Sequence, residues 1–299
     1  MIYGSREVWI LIILVSLAVD FVFEYPNVVH PVAWTGKLLK IFDDHRFLSG
    51  SVGEFVNGTL SVITAILIWI AAIFLIERLP FVIGVIITIF ILKSTFSIGG
   101  LVRAVRRCET DDLETLRRNV SLIVSRDVRE LDRDHLYSAA FESGAENLID
   151  SVISPLFYLA LFGLWGAIVY RVVNTADAMI GYRNEKYEFY GKFAARADDV
   201  LNFIPSRLFA LLMLVVSPRR VYKNLKKYRR LKINGMYSMA TMAALFNVKI
   251  EKIGHYYVDG DSFPDERVLR TLEHAIYGIS YSLSVMLSLV VYFHGAWWS

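Results

Sequence analysis

The chain has 299 residues, 55% of them hydrophobic, and a mean hydropathy of +0.45, which excludes a soluble, disordered or collagen-like polypeptide. Its 32 Lys and Arg against 29 Asp and Glu give a net charge of +3, too small to argue for a nucleic-acid partner. A single cysteine, Cys108, excludes an internal disulfide framework and a multi-thiolate zinc site. Charged residues still make up 20% of the chain, more than a plain bundle of spans needs, so their placement carries the information.

In chain order, residues 8–23 are apolar apart from Asp20 and read as a first span, retained as an anchor because no small-residue cleavage site follows. Residues 58–77 contain 19 consecutive uncharged positions, and 79–102 are apolar apart from Lys93; both are long enough to cross a bilayer. Residues 103–150 form a polar helical stretch with eight Arg and eleven acids. The apolar segments 151–173 and 200–216 are weaker spans, the first interrupted by Pro155, Gly163 and Gly166, the second by Pro205 and Arg207. Between them, 174–199 is expected as a further polar helical segment. Residues 217–235 hold eight Lys or Arg and no acid, and open a polar helical segment that runs to 274. The final span is expected near 275–293.

The basic run is a positive-inside signal and places its side in the cytoplasm. Attraction to anionic lipid and contact with a phosphorylated substrate both remain open for it. If 103–150 and 217–274 share that side, the two weaker segments between them cross twice or not at all. Crossing twice would put the polar 174–199 stretch outside. We therefore expect 151–173 and 200–216 to be re-entrant or interfacial, since broken helices are tolerated where they line a protein-buried cavity. The expected architecture is an all-α, polytopic integral membrane protein: one membrane-embedded domain over 1–299 with about four full spans. It would lie multi-pass in the cell membrane, with its polar face toward the cytoplasm.

Glu142, Glu146 and Asp150 recur every four residues and would lie within an arc of roughly 80° on an α-helix, with Asn147 beside them. Stacked carboxylates repel, so a cation should face them: Mg²⁺, which prefers oxygen ligands, or an Arg such as Arg126 or Arg129. A solvated face with ordinary ion pairs is the competing reading. Further on, Asn174, Asp177 and Gly181 share a helical spacing, followed by Arg183, Asn184, Arg196, Asp198, Asp199 and Asn202. Acids, amides and Arg so interleaved suit a metal beside a gripped phosphate, although Arg196 with Asp199 also fits a structural ion pair. His30 precedes Pro31, which suits a helix cap as well as a substrate contact, and Lys93 is an intramembrane cation. Walker A, GxGxxG, GxSxG and HExxH patterns are all absent.

Taken in order, Asp20, the His-Pro of VVHPVAWTGKLL, SRDVREL with Arg126 and Asp127, ESGAENLID, PLFY, YRVVNTADAMIGYRN, ARADDVLNFIPSRL and the glycine of YYVDG resemble the CobD/CbiB family of membrane proteins over nearly the whole chain. The most specific part is NT-x-D-x-M-x-GYRN followed by AR-x-DD-x-x-N-x-x-P-x-R. The resemblance implies an adenosylcobinamide-phosphate synthase that uses ATP and Mg²⁺ to join adenosylcobyric acid to an aminoalcohol phosphate such as (R)-1-aminopropan-2-ol phosphate. On that reading Glu142, Glu146, Asp177, Asp198 and Asp199 serve catalysis, and Glu146, Asp150, Asp198 and Asp199 hold the metal. His30, Lys93, Arg126, Asn147, Asn174, Arg183, Asn184, Arg196, Asn202, Arg207 and Asn234 would bind substrate or phosphate. The partners are these small molecules and the lipid bilayer, with no nucleic acid; other membrane enzymes of the pathway, or a second copy, are left open. The chain departs from the family at Asn234-Gly235-Met236, where PN-[SA]-G is usual. The alternative is a non-catalytic membrane regulator or sensor resembling the AmpE-like proteins.

Overall fold

The computed structural model describes residues 5–26 and 28–294. It is an all-α membrane protein with a single two-stranded hairpin among the described residues. Among the described residues five helical stretches are long and apolar enough to cross a bilayer: Gly50–Ile76, Phe81–Arg107, Arg133–Ile180, Lys192–Val216 and Glu266–Phe293. Their outward residues are themselves apolar, as Leu67, Phe74 and Leu75 show on the first and Leu211 and Val215 on the fourth, which suits a lipid surround.

The chain divides into two compact units. The first comprises residues 1–97, 154–201 and 283–299. It contains α1 (Arg6–Val22), α2 (Pro31–Asp44), α3 (Gly50–Ile76), α4 (Phe81–Thr95) and α8 (Ser154–Ile180), with the start of α9 (Lys192–Val216) and the end of α12 (Glu266–His294). Helix α1 packs on α4, with Ser16 Oγ 3.3 Å from the Ile89 carbonyl oxygen, and Trp9, Ile12, Ile13, Ile91 and Leu92 are buried. The two ionisable residues of these apolar segments meet there: Lys93 Nζ lies 3.3 Å from Asp20, with the side chains 2% and 1% exposed. Each charge is tolerable because the other is present. The Lys93 ammonium also sits 4.6 Å from the Tyr25 ring.

Segment 151–173 reverses direction. Gly163 has φ 62° and ψ −152°, outside the helical region and open only to glycine at low cost. The Tyr158 and Tyr170 rings stack at 5.5 Å, although twelve residues of straight helix would separate their Cα atoms by about 18 Å. The turn at Gly163 therefore gives α8 the doubled-back shape expected of a re-entrant segment. The sequence breaks at 200–216 act differently, because α9 continues through Pro205. A proline there cannot donate to the carbonyl of Leu201, and the Tyr158 hydroxyl donates to that oxygen instead, at 2.9 Å. Segment 200–216, expected as re-entrant or interfacial, thus lies in an unreversed helix long enough to span. Tyr158→Phe should cost about 1 kcal/mol in denaturant unfolding, and an unchanged midpoint would remove the hydroxyl from this role.

The second unit comprises residues 98–153 and 202–282. It holds α5 (Ile98–Arg107), α6 (Leu113–Ser121), α7 (Arg133–Leu148), a π turn (Ile149–Ile153), the remainder of α9, α10 (Pro218–Tyr228), α11 (Gly235–Phe246), the strands β1 (Ile250–Lys252) and β2 (Tyr256–Val258), and most of α12. Helix α7 is its centre, packed by α5, α6, α11 and β1. The span expected over 79–102 lies within Phe81–Arg107, long and apolar enough to cross, with a local break at Phe96, which is extended at φ −127° and ψ 164°. Two expectations are corrected here. The polar segment 217–274, expected to be helical, contains the antiparallel hairpin that pairs Ile250 with Val258. It follows the left-handed Asn247, which ends α11, and turns at Gly254. The π turn after Leu148 also takes Asp150 off the regular α-helical repeat that would have stacked it beneath Glu142 and Glu146.

Candidate active site

In the first unit the polar residues gather where α8 ends and α9 begins. Arg171 donates to Asn174 Oδ1 at 3.2 Å, and Asn174 Nδ2 donates to Asp198 at 3.2 Å, so one amide joins the two helices. Asp177, one turn on, is half-buried, and its carbonyl accepts the Gly181 N–H at 2.8 Å. The helical segment expected over 174–199 is interrupted here: residues 181–191 fold into a loop between α8 and α9, with a cleft of about 250 Å³ lined by Arg183, Glu188, Arg196 and Asp199 among others. Arg196 and Asp199 are 3.6 Å apart, the structural pair that their spacing allowed. Arg183 and Asn184 are exposed, and Asn184 Oδ1 accepts the Tyr187 N–H, a turn-capping role.

That loop is tied down by residues from α2 and its C-terminal end. Asp43 accepts from Lys186 Nζ at 2.8 Å and from the Tyr187 hydroxyl at 2.9 Å. Arg46 pairs with Asp43 and Glu54 while its guanidinium stacks 4.1 Å from the Tyr190 ring centre. The Lys186 ammonium and the Arg46 guanidinium hold the Asp43 carboxyl below its usual range despite its burial.

His30 caps α2, its Nδ1 accepting the Val32 N–H at 3.2 Å, which leaves the ring proton on Nε2. Burial, with the Lys93 and Arg171 cations adding to it, pushes its pKa down to about 4. A histidine depressed in the folded state costs nothing above its unfolded value, and stability falls as pH drops from about 6.5 toward 4, where only the unfolded chain takes the proton. His30→Asn keeps a cap acceptor and removes the titration, so its thermal midpoint should decline less over that window. Identical pH profiles would sink the assignment. Lys93 is enclosed with Asp20, so its charge is spent within the fold.

In the second unit Glu142 and Glu146 of α7 are each met by a cation, as their repulsion required. Glu142, 7% exposed at its side chain, is 3.2 Å from Arg126. It also accepts from Ser138 Oγ at 2.8 Å and from the Tyr256 hydroxyl at 2.5 Å. Burial and the Glu142 charge push the Tyr256 phenol well above its ordinary range, so it remains a donor. Glu146, one turn along, is 2.5 Å from Lys232. Lys252, on the strand β1 that packs against α7, is half-buried, and this burial with the field of the Arg126 and Lys232 cations lowers its pKa. Asn147 faces elsewhere, donating to the Ser143 carbonyl at 2.9 Å.

Arg207 and Asn234 belong to the packing of this unit. The Arg207 guanidinium lies between the Phe203 and Tyr237 rings, 3.4 and 4.1 Å from their centres. It donates to the carbonyl oxygens of Phe203 and Ile233 and to Asn234 Oδ1 at 2.8, 3.3 and 3.0 Å. The structure thus uses Arg207 to clamp α9 to the entrance of α11. Asn202 is buried. Among the described residues no three His, Cys, Asp or Glu side chains converge as a cation cage. The proposed ligands are divided instead, Glu146 and Asp150 in the second unit, Asp198 and Asp199 in the first.

Residues 13–280 match the family described as CobD/Cbib protein. A protein of Pyrococcus furiosus named "Probable cobalamin biosynthesis protein CobD" is 45% identical over 262 residues, covering 87% of this chain and 91% of its own. The chain belongs to the CobD/CbiB family. A Methanocaldococcus jannaschii protein of the same printed name is 38% identical over 309 residues, covering 96% of this chain and 98% of its own. An Archaeoglobus fulgidus protein, likewise named, is 39% identical over 252 residues, 84% of each chain. No solved structure matches.

All the candidate residues of this CobD/CbiB member fall inside the matched region. Reading by spacing missed Asp43, Arg46, Ser138, Lys232, Lys252 and Tyr256. Ser138 alone carried a usable signal, since it precedes Glu142 by four residues, one helical turn. Tyr256 and Lys252 reach α7 only because the hairpin forms.

Proposed function

We propose that this chain acts in cobalamin biosynthesis as an ATP-dependent ligase joining a carboxylate of adenosylcobyric acid to the amine of an aminoalcohol phosphate, giving adenosylcobinamide phosphate. The observation that carries this reading is the α7 cluster, where two carboxylates one helical turn apart are met by two cations and a phenol. A carboxylate is a poor electrophile. One of its oxygens would attack the γ-phosphorus of ATP, ADP would leave, and the amine would then attack the acyl carbon with loss of inorganic phosphate. Such transfers need positioning and charge neutralisation more than covalent help.

In this reading Arg126, with Lys232 and Lys252 beside it, steadies phosphate charge, and Glu146 is placed to take the proton that the attacking ammonium must lose. In the first unit, Arg183 and Arg196 line a cleft suited to a phosphoryl group. Asp198 and Asp199 are adjacent carboxylates of the kind Mg²⁺ takes, one or two at a time, completing its shell with water and phosphate oxygens. When bound, Mg²⁺ would offset the charge of the ATP phosphates. The basic 217–235 run argues for a cytoplasmic orientation of the polar ends.

The test is the purified full chain in lipid, supplied with MgATP, adenosylcobyric acid and (R)-1-aminopropan-2-ol phosphate. ADP release dependent on both organic substrates is expected, and its loss in Glu146→Ala and Asp198→Ala. If both variants retain wild-type ligation, these residue roles are wrong. Tight corrinoid binding without turnover would favour the regulator or sensor reading.

A further inference from the structure

The basic run left two readings open, and the fold of α10 separates them. Helix α10 buries one face, Val221, Asn224 and Tyr228, at the i, i+3, i+7 spacing, with the Asn224 amide donating to the Ala240 carbonyl of α11 at 3.3 Å. All eight cations of residues 219–232 are exposed. Two are used within the unit: Lys227 pairs with Asp259 and Lys232 with Glu146, each at 2.5 Å. The other six, Arg219, Arg220, Lys223, Lys226, Arg229 and Arg230, make no ion pair among the described residues.

The surroundings of this face are apolar. Helix α10 begins two residues after Val216, and Val215 and Val216 are 85% and 68% exposed at the end of a helix able to span. On α10 and just beyond it, Tyr222, Leu231 and Ile233 are exposed between the cations. A cationic helix carrying exposed aromatic and aliphatic residues, joined without a linker to the end of a lipid-facing helix, has the composition of an interfacial element. A soluble phosphate would need these cations to converge, and they are instead spread along a convex helix.

We propose that the outer face of α10 is a binding surface for anionic lipid headgroups. Six cations along two to three turns meet several headgroup phosphates at once, while Tyr222, Leu231 and Ile233 sit at the acyl boundary. Because α10 is packed on α11 and followed directly by Lys232, headgroup binding also steadies the segment that delivers Lys232 to Glu146. This inference rests on the membrane setting and not on the ligation reading.

The experiment uses the full chain in nanodiscs of phosphatidylcholine alone or with about one-third phosphatidylglycerol, following hydrogen exchange of residues 218–231. Exchange should slow by about tenfold or more in the anionic discs, and the protection should shrink as salt is raised toward 0.5 M, roughly the range where screening becomes short. Replacing the six unpaired cations by Gln should abolish the difference while leaving exchange in α7 unchanged. Equal protection in both discs would overturn the proposal. So would protection in neutral discs on adding millimolar inorganic phosphate or ATP, which would mark the face as a site for soluble phosphates.

Discussion

Glu142→Ala is expected to abolish ligation and to destabilise the second unit by about 3 kcal/mol, the usual cost of stripping one partner from a buried charge pair. The size follows from what the carboxylate holds: Arg126, Ser138 and the Tyr256 hydroxyl all converge on it. Without it, the half-buried Arg126 loses its counter-charge and the phenol keeps only a 3.7 Å approach to the Met239 sulfur. Glu142→Gln should recover part of the stability, because an amide oxygen still accepts, without recovering turnover. Denaturant unfolding beside the ligation assay checks both, and an alanine variant within about 0.5 kcal/mol of wild type would show the cluster to be dispensable.

The same cluster shows what was legible beforehand. The four-residue spacing of Glu142 and Glu146 announced a face that needed cations, and the structure supplies Arg126 and Lys232. It did not announce the register shift that displaces Asp150, because a π turn leaves no mark in hydrophobic periodicity. Nor did it reveal Lys252 and Tyr256, since IEKIGHYYV reads as one more piece of a polar run until the hairpin turns at Gly254. The apolar segments 58–77, 79–102 and 275–293 were readable as spans from length alone, whereas 200–216 was not, and the span expected at 8–23 is a helix of 17 residues outside the five long enough to cross. Gly163 was noted as an interruption, yet only its positive φ and the Tyr158–Tyr170 stack show that the chain doubles back there. Asp43 and Arg46 illustrate the other limit: they hold a loop some 140 residues away, a distance no local pattern spans.

Gly191→Ala should be nearly as damaging, through the backbone and not through charge. A Cβ at this position would stand 1.6 Å from the Ile180 carbonyl oxygen, and neither that oxygen nor the Cα carrying the new carbon can swing away, since both belong to main chain at the ends of α8 and α9. The 181–191 loop must therefore move by more than an ångström. Destabilisation of about 3 kcal/mol is expected, with ligation falling by about 100-fold or more as Arg183 and Arg196 leave their places. Hydrogen exchange over residues 182–190 should rise in step. Gly278→Ala, where nothing lies within 4 Å of the added carbon, is the matched control and should be neutral. Equal behaviour of the two variants would show that the close approach at Gly191 carries no constraint.

The Asp20–Lys93 pair has a consequence for how the chain is made. Each charge placed singly in an apolar helix opposes membrane insertion by roughly 3 kcal/mol, and the partner of Asp20 lies 73 residues further along the chain. At synthesis, the first helix must wait for the fourth before its carboxylate has a counter-ion. A nascent chain halted before Lys93 should therefore hold α1 loosely, and one extended past α4 should hold it firmly, so that a segment made earlier is secured only by one made later.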